Sequence, residues 1–337
     1  MIQSAIERLQ AGHDLGQNDM AEAIGQIMSG GVPDDLIAAL LVALHRKGET
    51  ADEVAGAALA MRQHMTPIRA EHELLLDVVG TGGDGSATLN ISTAAALVTA
   101  ACGVPVAKHG NRAVTSRSGA SDVLARLGVN IEAPLPVVEQ CLAELGICFC
   151  FAPLYHRAMK NVAAVRKTLP HPTVFNLLGP LVNPASASHQ LLGVGRPELR
   201  GLIAEACVRL GTRRAVVVHG SDGLDEVTLG APTEVSVATP TGVEPLTWSP
   251  EQFGLPAVEI PHLRVDGPEQ SAELIRGVLA GRPGPSREIV LANTAAALWS
   301  AERVDALDAG VRQAAEAVDS GAAAEKLAQL VELSCRA

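Results

Sequence analysis

Apolar residues recur at helical spacing through the first 66 residues. Ile2, Ile6 and Leu9 form one such stripe. Asn18 is placed to cap a helix that runs toward Met28 and stops at Gly30-Gly31. Pro33 opens "DDLIAALLVALHRK", which closes at Gly48. Thr50-Ala51-Asp52-Glu53 reads as a capping box for a helix reaching about Met65, and Thr66-Pro67 breaks the pattern. No strand signal interrupts these segments, so residues 1–66 predict a small helical domain.

The pattern changes at Leu74. A strand over 74–79 leads into a glycine-rich loop and a helix over 92–102. "VPVAK" leads into the polar loop "HGNRAVTSRSG" and the helix "ASDVLARLG". Then come "VNI", a helix from Pro136 to Leu145, and "ICFCF". "LLGVG", a helix from Pro197 to Leu210 and "RRAVVVHG" repeat the alternation. Such alternation predicts an α/β architecture with a mostly parallel central sheet covered on both faces. Residues 233–248 read as a hairpin with Thr241-Gly242 near its turn, and the chain from Gly267 is mainly helical. The second, large α/β domain therefore spans residues 74–337.

Composition narrows the function. Aromatic residues are only 2% of the 337, too few for a surface that stacks single-stranded bases. A formal net charge of −11 repels a polyanionic partner, which argues against nucleic acid. The longest purely apolar run, Leu36–Leu44, is too short to span a bilayer. The N-terminus carries charges where a signal peptide has an apolar core. None of the six cysteines lies in a C-x-x-C pair. Cys148 and Cys150 read as small buried hydrophobes, and a reducing cytoplasm is expected.

Candidate chemistry collects at the ends of strands. In "DVVGTGGDGSATLNIST", Gly80, Gly82 and Gly85 fit the dinucleotide pattern G-x-G-x-x-G. That pattern demands an acidic residue at the end of the next strand, to hold a ribose hydroxyl. The chain has Lys108-His109-Gly110-Asn111-Arg112 there instead, groups suited to phosphate. A dehydrogenase is therefore disfavoured. The glycines let backbone N–H groups approach an anion, and the helix N-terminus at Asn90, Ser92 and Thr93 adds unpaired donors. Lys108, His109, Arg112 and Arg117, with Thr115, Ser116 and Ser118, form a second loop fit for anions. The strand "RRAVVVHG" delivers Asp222, Asp225 and Glu226. Asp222-Gly223 reads as a turn, while the adjacent acids could bridge to a diphosphate through magnesium. Arg166, within "KNVAAVRKTL", could pair bidentately with a substrate carboxylate.

"DVVGTGGDG", "NIST", "KHGNRAVTSRSGASDVL", "NVAAVRKTL", "TVFNLLGPLVNPA" and "DGLDEV" together resemble the anthranilate phosphoribosyltransferases, through most of the chain. The resemblance implies a fold like that of the pyrimidine nucleoside phosphorylases, with helices from about 153–170 joining the small domain. It implies a homodimer formed through that domain. It also implies transfer of the phosphoribosyl group of phosphoribosyl pyrophosphate (PRPP) to anthranilate, in tryptophan biosynthesis. The matching positions imply PRPP contacts at Gly80, Gly83, Asp84, Thr88, Asn90, Ile91, Ser92, Thr93, Lys108, Asn111, Ser116 and Ala120. Anthranilate contacts are implied at Gly80, His109, Asn111, Arg166, Gly179 and Pro180, and Mg2+ at Ser92, Asp225 and Glu226. Lys108 and His109 are the catalytic candidates.

The chain departs from the family pattern at Ala120-Ser121, where many relatives carry Ser-Ala, and at Arg157, where many carry Pro. Two alternatives share the fold: a pyrimidine nucleoside phosphorylase, and a non-enzymatic relative that binds nucleic acid.

Overall fold

Four helices open the chain: α1 (Ile2–Gln10), α2 (Gln17–Ser29), α3 (Asp34–Lys47) and α4 (Ala51–Gln63). The computed structural model describes residues 2–112 and 117–336. Ile2, Ala5, Ile6 and Leu9 bury one face of α1, as their spacing predicts. One cap differs from the expectation. α2 starts at Gln17 with Gly16 as its cap, so Asn18 lies inside the first turn. The capping box of α4 forms as read: the Glu53 N–H donates to Thr50 Oγ1 (3.3 Å) and the Thr50 N–H to Glu53 Oε2 (2.8 Å). Glu53 is fully buried, and it also accepts from the Leu15 N–H (2.9 Å) and Lys47 Nζ (3.0 Å). Gly56 permits the crossing of α2 and α4. A Cβ there would lie 2.3 Å from the Gln17 carbonyl oxygen.

The α/β part runs β1 (Leu76–Gly80), α5 (Ile91–Ala101), β2 (Val106–Gly110), α6 (Ala120–Leu127), α7 (Leu135–Leu145) and β3 (Ile147–Phe151). It continues with α8 (Lys160–Thr168), β4 (His189–Gly193), α9 (Glu198–Arg209), β5 (Arg214–Gly220), β6 (Thr233–Thr239) and β7 (Gly242–Trp248). Helices α10 (Pro268–Leu279), α11 (Pro285–Ser300), α12 (Leu307–Asp319) and α13 (Ala322–Ser334) complete it. "VNI" forms no strand. Among the described residues the strands form one seven-stranded sheet, ordered β3-β2-β1-β4-β5-β6-β7. Its first five strands are parallel, and the β6–β7 hairpin continues it antiparallel from β5.

Alternate residues of the central strands enter two different cores, because side chains of a strand point to opposite faces. Val78, Leu191, Val216 and Val218 join α5 and α11 on one face. Val79, Leu192 and Val217 join α9, α8 and the N-terminal helices on the other. Asn161 of α8 donates to the Met28 carbonyl of α2 (2.8 Å). All six cysteines are free thiols, and Cys148 and Cys150 are buried in β3 as read. Among the described residues no helix is long and apolar enough to cross a membrane.

The chain winds from β1 toward β3 on one side and from β4 toward β7 on the other. The loops after β1 and β4 therefore diverge, and a crevice opens where open α/β sheets bind ligands.

Candidate active site

The glycine loop fills one wall of that crevice. Gly82, Gly83 and Gly85 have φ of 67°, 87° and 70°, a conformation that side chains resist. The loop is pinned from both sides. The Thr81 N–H donates to the Gly193 carbonyl (2.9 Å), and the Leu89 N–H to the Leu263 carbonyl (2.9 Å). Gly195 packs so closely that a Cβ would lie 2.8 Å from the Gly82 oxygen. Ala87 also adopts a positive φ of 56°, without a glycine's freedom.

The N-terminus of α5 follows. Asn90 sits at the cap position, yet its side chain makes no capping bond. Its Oδ1 accepts from Ser118 Oγ (2.7 Å) and Ser271 Oγ (2.9 Å), and its Nδ2 donates to the Ser118 carbonyl (3.0 Å). The amide thus ties the loop after β2 to α5 and α10. The Ser92 N–H, an unpaired donor of the first turn, goes to Glu226 Oε1 (3.1 Å).

β2 delivers Lys108 and His109, both buried. Lys108 Nζ donates to the Val78 carbonyl (2.6 Å) and to Ser92 Oγ (3.2 Å). Burial pulls its pKa down, against the pull of Asp77 and Glu226. His109 Nδ1 lies 3.0 Å from the Gly179 carbonyl, so that nitrogen carries the proton. Nε2 has no partner. Burial, with His156 5.1 Å away ring to ring, pushes the His109 pKa down to about 3. The ring is neutral at any ordinary pH.

The loop after β5 brings Asp225 and Glu226 to the same cleft. Asp222 stays out of it, accepting from Thr228 Oγ1 (2.6 Å) in a turn. Gly193 is the seat of the acidic loop: a Cβ there would meet the Asp225 carbonyl oxygen at 1.6 Å. Asn293 clamps the far side, bonding both the N–H (3.0 Å) and the carbonyl (2.9 Å) of Val227. Burial raises the Glu226 pKa to about 7, with Asp84 adding to the rise and Lys108 opposing it. Burial, Asp84 and Glu226 raise that of Asp225 well above the carboxylate range. Carboxylates gathered in this way raise one another's pKa, and added positive charge would relieve them. Oxygen donors of this kind suit magnesium. Among the described residues no three His, Cys, Asp or Glu side chains form a closed metal cage. An acidic pair leaving positions for water and phosphate is the pattern magnesium takes.

A cleft of about 340 Å3 joins these pieces. Of the PRPP candidates, Gly80, Gly83, Asp84, Thr88, Asn90, Ile91, Ser92, Lys108, Asn111 and Ala120 line it. Thr93 does not; it is fully buried behind the helix end. Ser116 lies outside the described residues. Ser121, one position after Ala120, is also fully buried off the cleft wall. Its hydroxyl therefore does not stand in for the serine that relatives carry at 120.

His109, Asn111, Gly179 and Pro180, of the anthranilate candidates, line the same cleft. Arg166 does not line the cleft itself but contacts two residues that do. Its guanidinium lies 5.6 Å from the Phe175 ring centroid and 3.4 Å from Asn176 Oδ1. Phe175, Asn176 and Ala152 line the cleft and are not among the expected residues. The only signal for the first two is the motif "TVFNLLGPLVNPA", which contains them. Arg157 is exposed and off the cleft.

The chain matches two family models in succession. Residues 3–65 match the helical bundle domain of a glycosyl transferase family, and residues 72–324 its a/b domain. An anthranilate phosphoribosyltransferase of Rhodopirellula baltica is 49% identical over 97% of this chain and 96% of its own. This chain belongs to the anthranilate phosphoribosyltransferase family. The family's fold is also found here in solved relatives. The Thermus thermophilus anthranilate phosphoribosyltransferase superposes with a TM-score of 0.93, at 43% identity over 98% of this chain and 99% of that one. The Saccharomyces cerevisiae enzyme, solved in complex with PRPP and Mg, superposes with a TM-score of 0.91 at 29% identity, over 99% and 97%.

Proposed function

We propose that the protein transfers the phosphoribosyl group of PRPP to the amine of anthranilate, releasing pyrophosphate. One observation carries this reading. The glycine loop, Lys108 and the Asp225–Glu226 pair open on the same cleft as His109, Gly179 and Pro180. One end is built for phosphates and the other for a flat organic partner. A nucleoside phosphorylase would leave the acidic pair without a use.

The residues divide the work. Gly80, Gly83, Asp84, Thr88, Asn90, Ile91, Ser92, Thr93, Asn111, Ser116 and Ala120 surround PRPP in this reading. Ser92, Asp225 and Glu226 hold Mg2+, which supplies positive charge to the pyrophosphate. Lys108 adds a cation that stabilises negative charge on the departing oxygens. Asn111 and Arg166 hold the anthranilate carboxylate against Gly80, Gly179 and Pro180. His109, neutral and with Nε2 bare, is an acceptor for the aryl N–H rather than a strong base. The aniline nitrogen is itself largely unprotonated at neutral pH. Holding it in line with the anomeric carbon is then the main catalytic contribution. The C–N bond forms as the C–O bond to pyrophosphate breaks.

The reading extends to a cytoplasmic homodimer associating through residues 1–66 and the helices of about 153–170, with residues 74–337 as the PRPP-binding domain. The six free thiols support a reducing compartment. Mixing the protein with PRPP, Mg2+ and anthranilate should quench anthranilate fluorescence, with stoichiometric pyrophosphate. No loss of fluorescence, with PRPP intact, would reject the assignment.

A further inference from the structure

Asp77 is a carboxylate at the second position of β1, an interior strand of the sheet, with 0% exposure. An acid is out of place there, since burial of a charge is costly and a regular ladder needs none. The ladder around it is not regular. β1 pairs with β4 at five successive positions from Leu76 to Gly80, but with β2 only at Leu76↔Val106. Toward the cleft the two strands separate, and side chains fill the seam. Asp77 Oδ1 accepts the His109 N–H (3.1 Å), and Oδ2 accepts from Asn183 Nδ2 (2.8 Å). The same Nδ2 donates to the Ala107 carbonyl (2.7 Å), and Asn183 Oδ1 accepts the Ala185 N–H (2.9 Å). Lys108 Nζ takes the Val78 carbonyl, which β2 leaves free.

The seam leads to one end of the cleft. His109 is fixed through its own N–H by Asp77, and its ring holds the Gly179 carbonyl (3.0 Å). Asn183 anchors the same turn from its other end. Asp77 is therefore the shared anchor of a closed circuit: Asp77, His109, the turn from Gly179 to Asn183, and back.

We propose that Asp77 is a positioning residue for the acceptor end of the cleft, setting His109 and the Gly179–Pro180 turn against the aromatic amine. The proposal rests on the transferase reading for the identity of that acceptor.

The test compares Asp77→Asn, Asn183→Ala and the double variant. In Asp77→Asn the new amide keeps one acceptor and loses the other, so one arm of the circuit opens. Each single variant should raise the KM for anthranilate about ten-fold or more, and Asn183→Ala, which leaves the Asp77 charge facing Lys108 in place, should keep the KM for PRPP within about three-fold. The double variant should resemble the worse single, because both cut one circuit. Equal changes in the two KM values of Asn183→Ala, or multiplied effects on the anthranilate KM in the double variant, would overturn the proposal. If Asp77→Asn does not fold, Asn183→Ala carries the KM comparison alone.

Hydrogen exchange gives a readout that needs no turnover. Either variant should speed exchange in both 106–111 and 179–185. Faster exchange in only the segment next to the substitution would overturn the circuit. A wild type that ignores anthranilate would refute the transferase reading and leave this second measurement to decide on Asp77.

Discussion

The N–H of Ser92 and the carboxylate of Glu226 meet at 3.1 Å, joining the first turn of α5 to the loop after β5. Lys108 completes the group through Ser92 Oγ (3.2 Å). One carboxylate thus receives a helix N-terminus and stands beside a buried cation. Glu226→Gln keeps the shape and removes the charge. Turnover should fall by roughly two orders of magnitude, the scale of losing one preorganised electrostatic group. The melting temperature should hardly move. Steady-state rates at fixed Mg2+ and a thermal melt check both halves; unchanged turnover removes Glu226 from the site.

Arg166→Ala separates the two substrates. Its guanidinium sits at the Phe175–Asn176 wall, away from Asp225 and Glu226. A lost charge-assisted bond of about 1.5–3 kcal/mol corresponds to roughly 10- to 100-fold in anthranilate KM. The KM for PRPP should stay near that of the wild type. Equal effects on both would count against the assigned role.

The pH profile distinguishes the acid from the imidazole. Glu226 titrates at about 7, raised chiefly by burial, and its ionised form is the one that holds a cation. As pH falls through 7 the carboxylate takes up a proton and kcat/KM should drop. Added Mg2+ favours the ionised form, so the acid limb should move to lower pH as Mg2+ rises. His109 is already neutral, with its pKa pushed down to about 3. His109→Gln should leave the limb where it is. A limb that ignores Mg2+ and vanishes in His109→Gln would reverse the two roles.

Ala87 holds φ at 56° in the glycine loop. A left-handed alanine costs roughly 1–2 kcal/mol, and glycine gives back about 0.4–1 kcal/mol through the freer unfolded chain. Ala87→Gly should therefore stabilise the protein by up to about 1 kcal/mol. Urea denaturation measures this directly, and a lower midpoint at equal slope would contradict it.

The glycine loop is readable in the chain because left-handed backbone needs glycine, and three of the loop's glycines adopt it. The alternation of strand and helix likewise yields the sheet. Other features hide. Asn90 is legible only as a residue at a helix N-terminus, but its partners are Ser118 and Ser271, the second 181 positions away. Asp77 reads as a single polar break in an apolar strand, because its value depends on Asn183, 106 positions on. Arg166 is legible as a cation, while the Phe175–Asn176 wall it leans on is carried only by a motif. Spacing encodes local geometry; long-range hydrogen bonds leave no periodic trace.

The turn beneath the acceptor pocket presents three successive carbonyls, and each is claimed by a different element of the fold. His109 of β2 takes Gly179 (3.0 Å), Gln190 of β4 takes Pro180 (2.6 Å), and Arg62 of α4 takes Leu181 (2.8 Å). The last of these reaches in from the N-terminal helices. A shortened protein starting at β1 would keep every phosphate-facing loop and still have a sagging floor under the aromatic ring. Such a fragment should hold pyrophosphate better than it holds an acceptor, so the minimal enzyme begins with the helices.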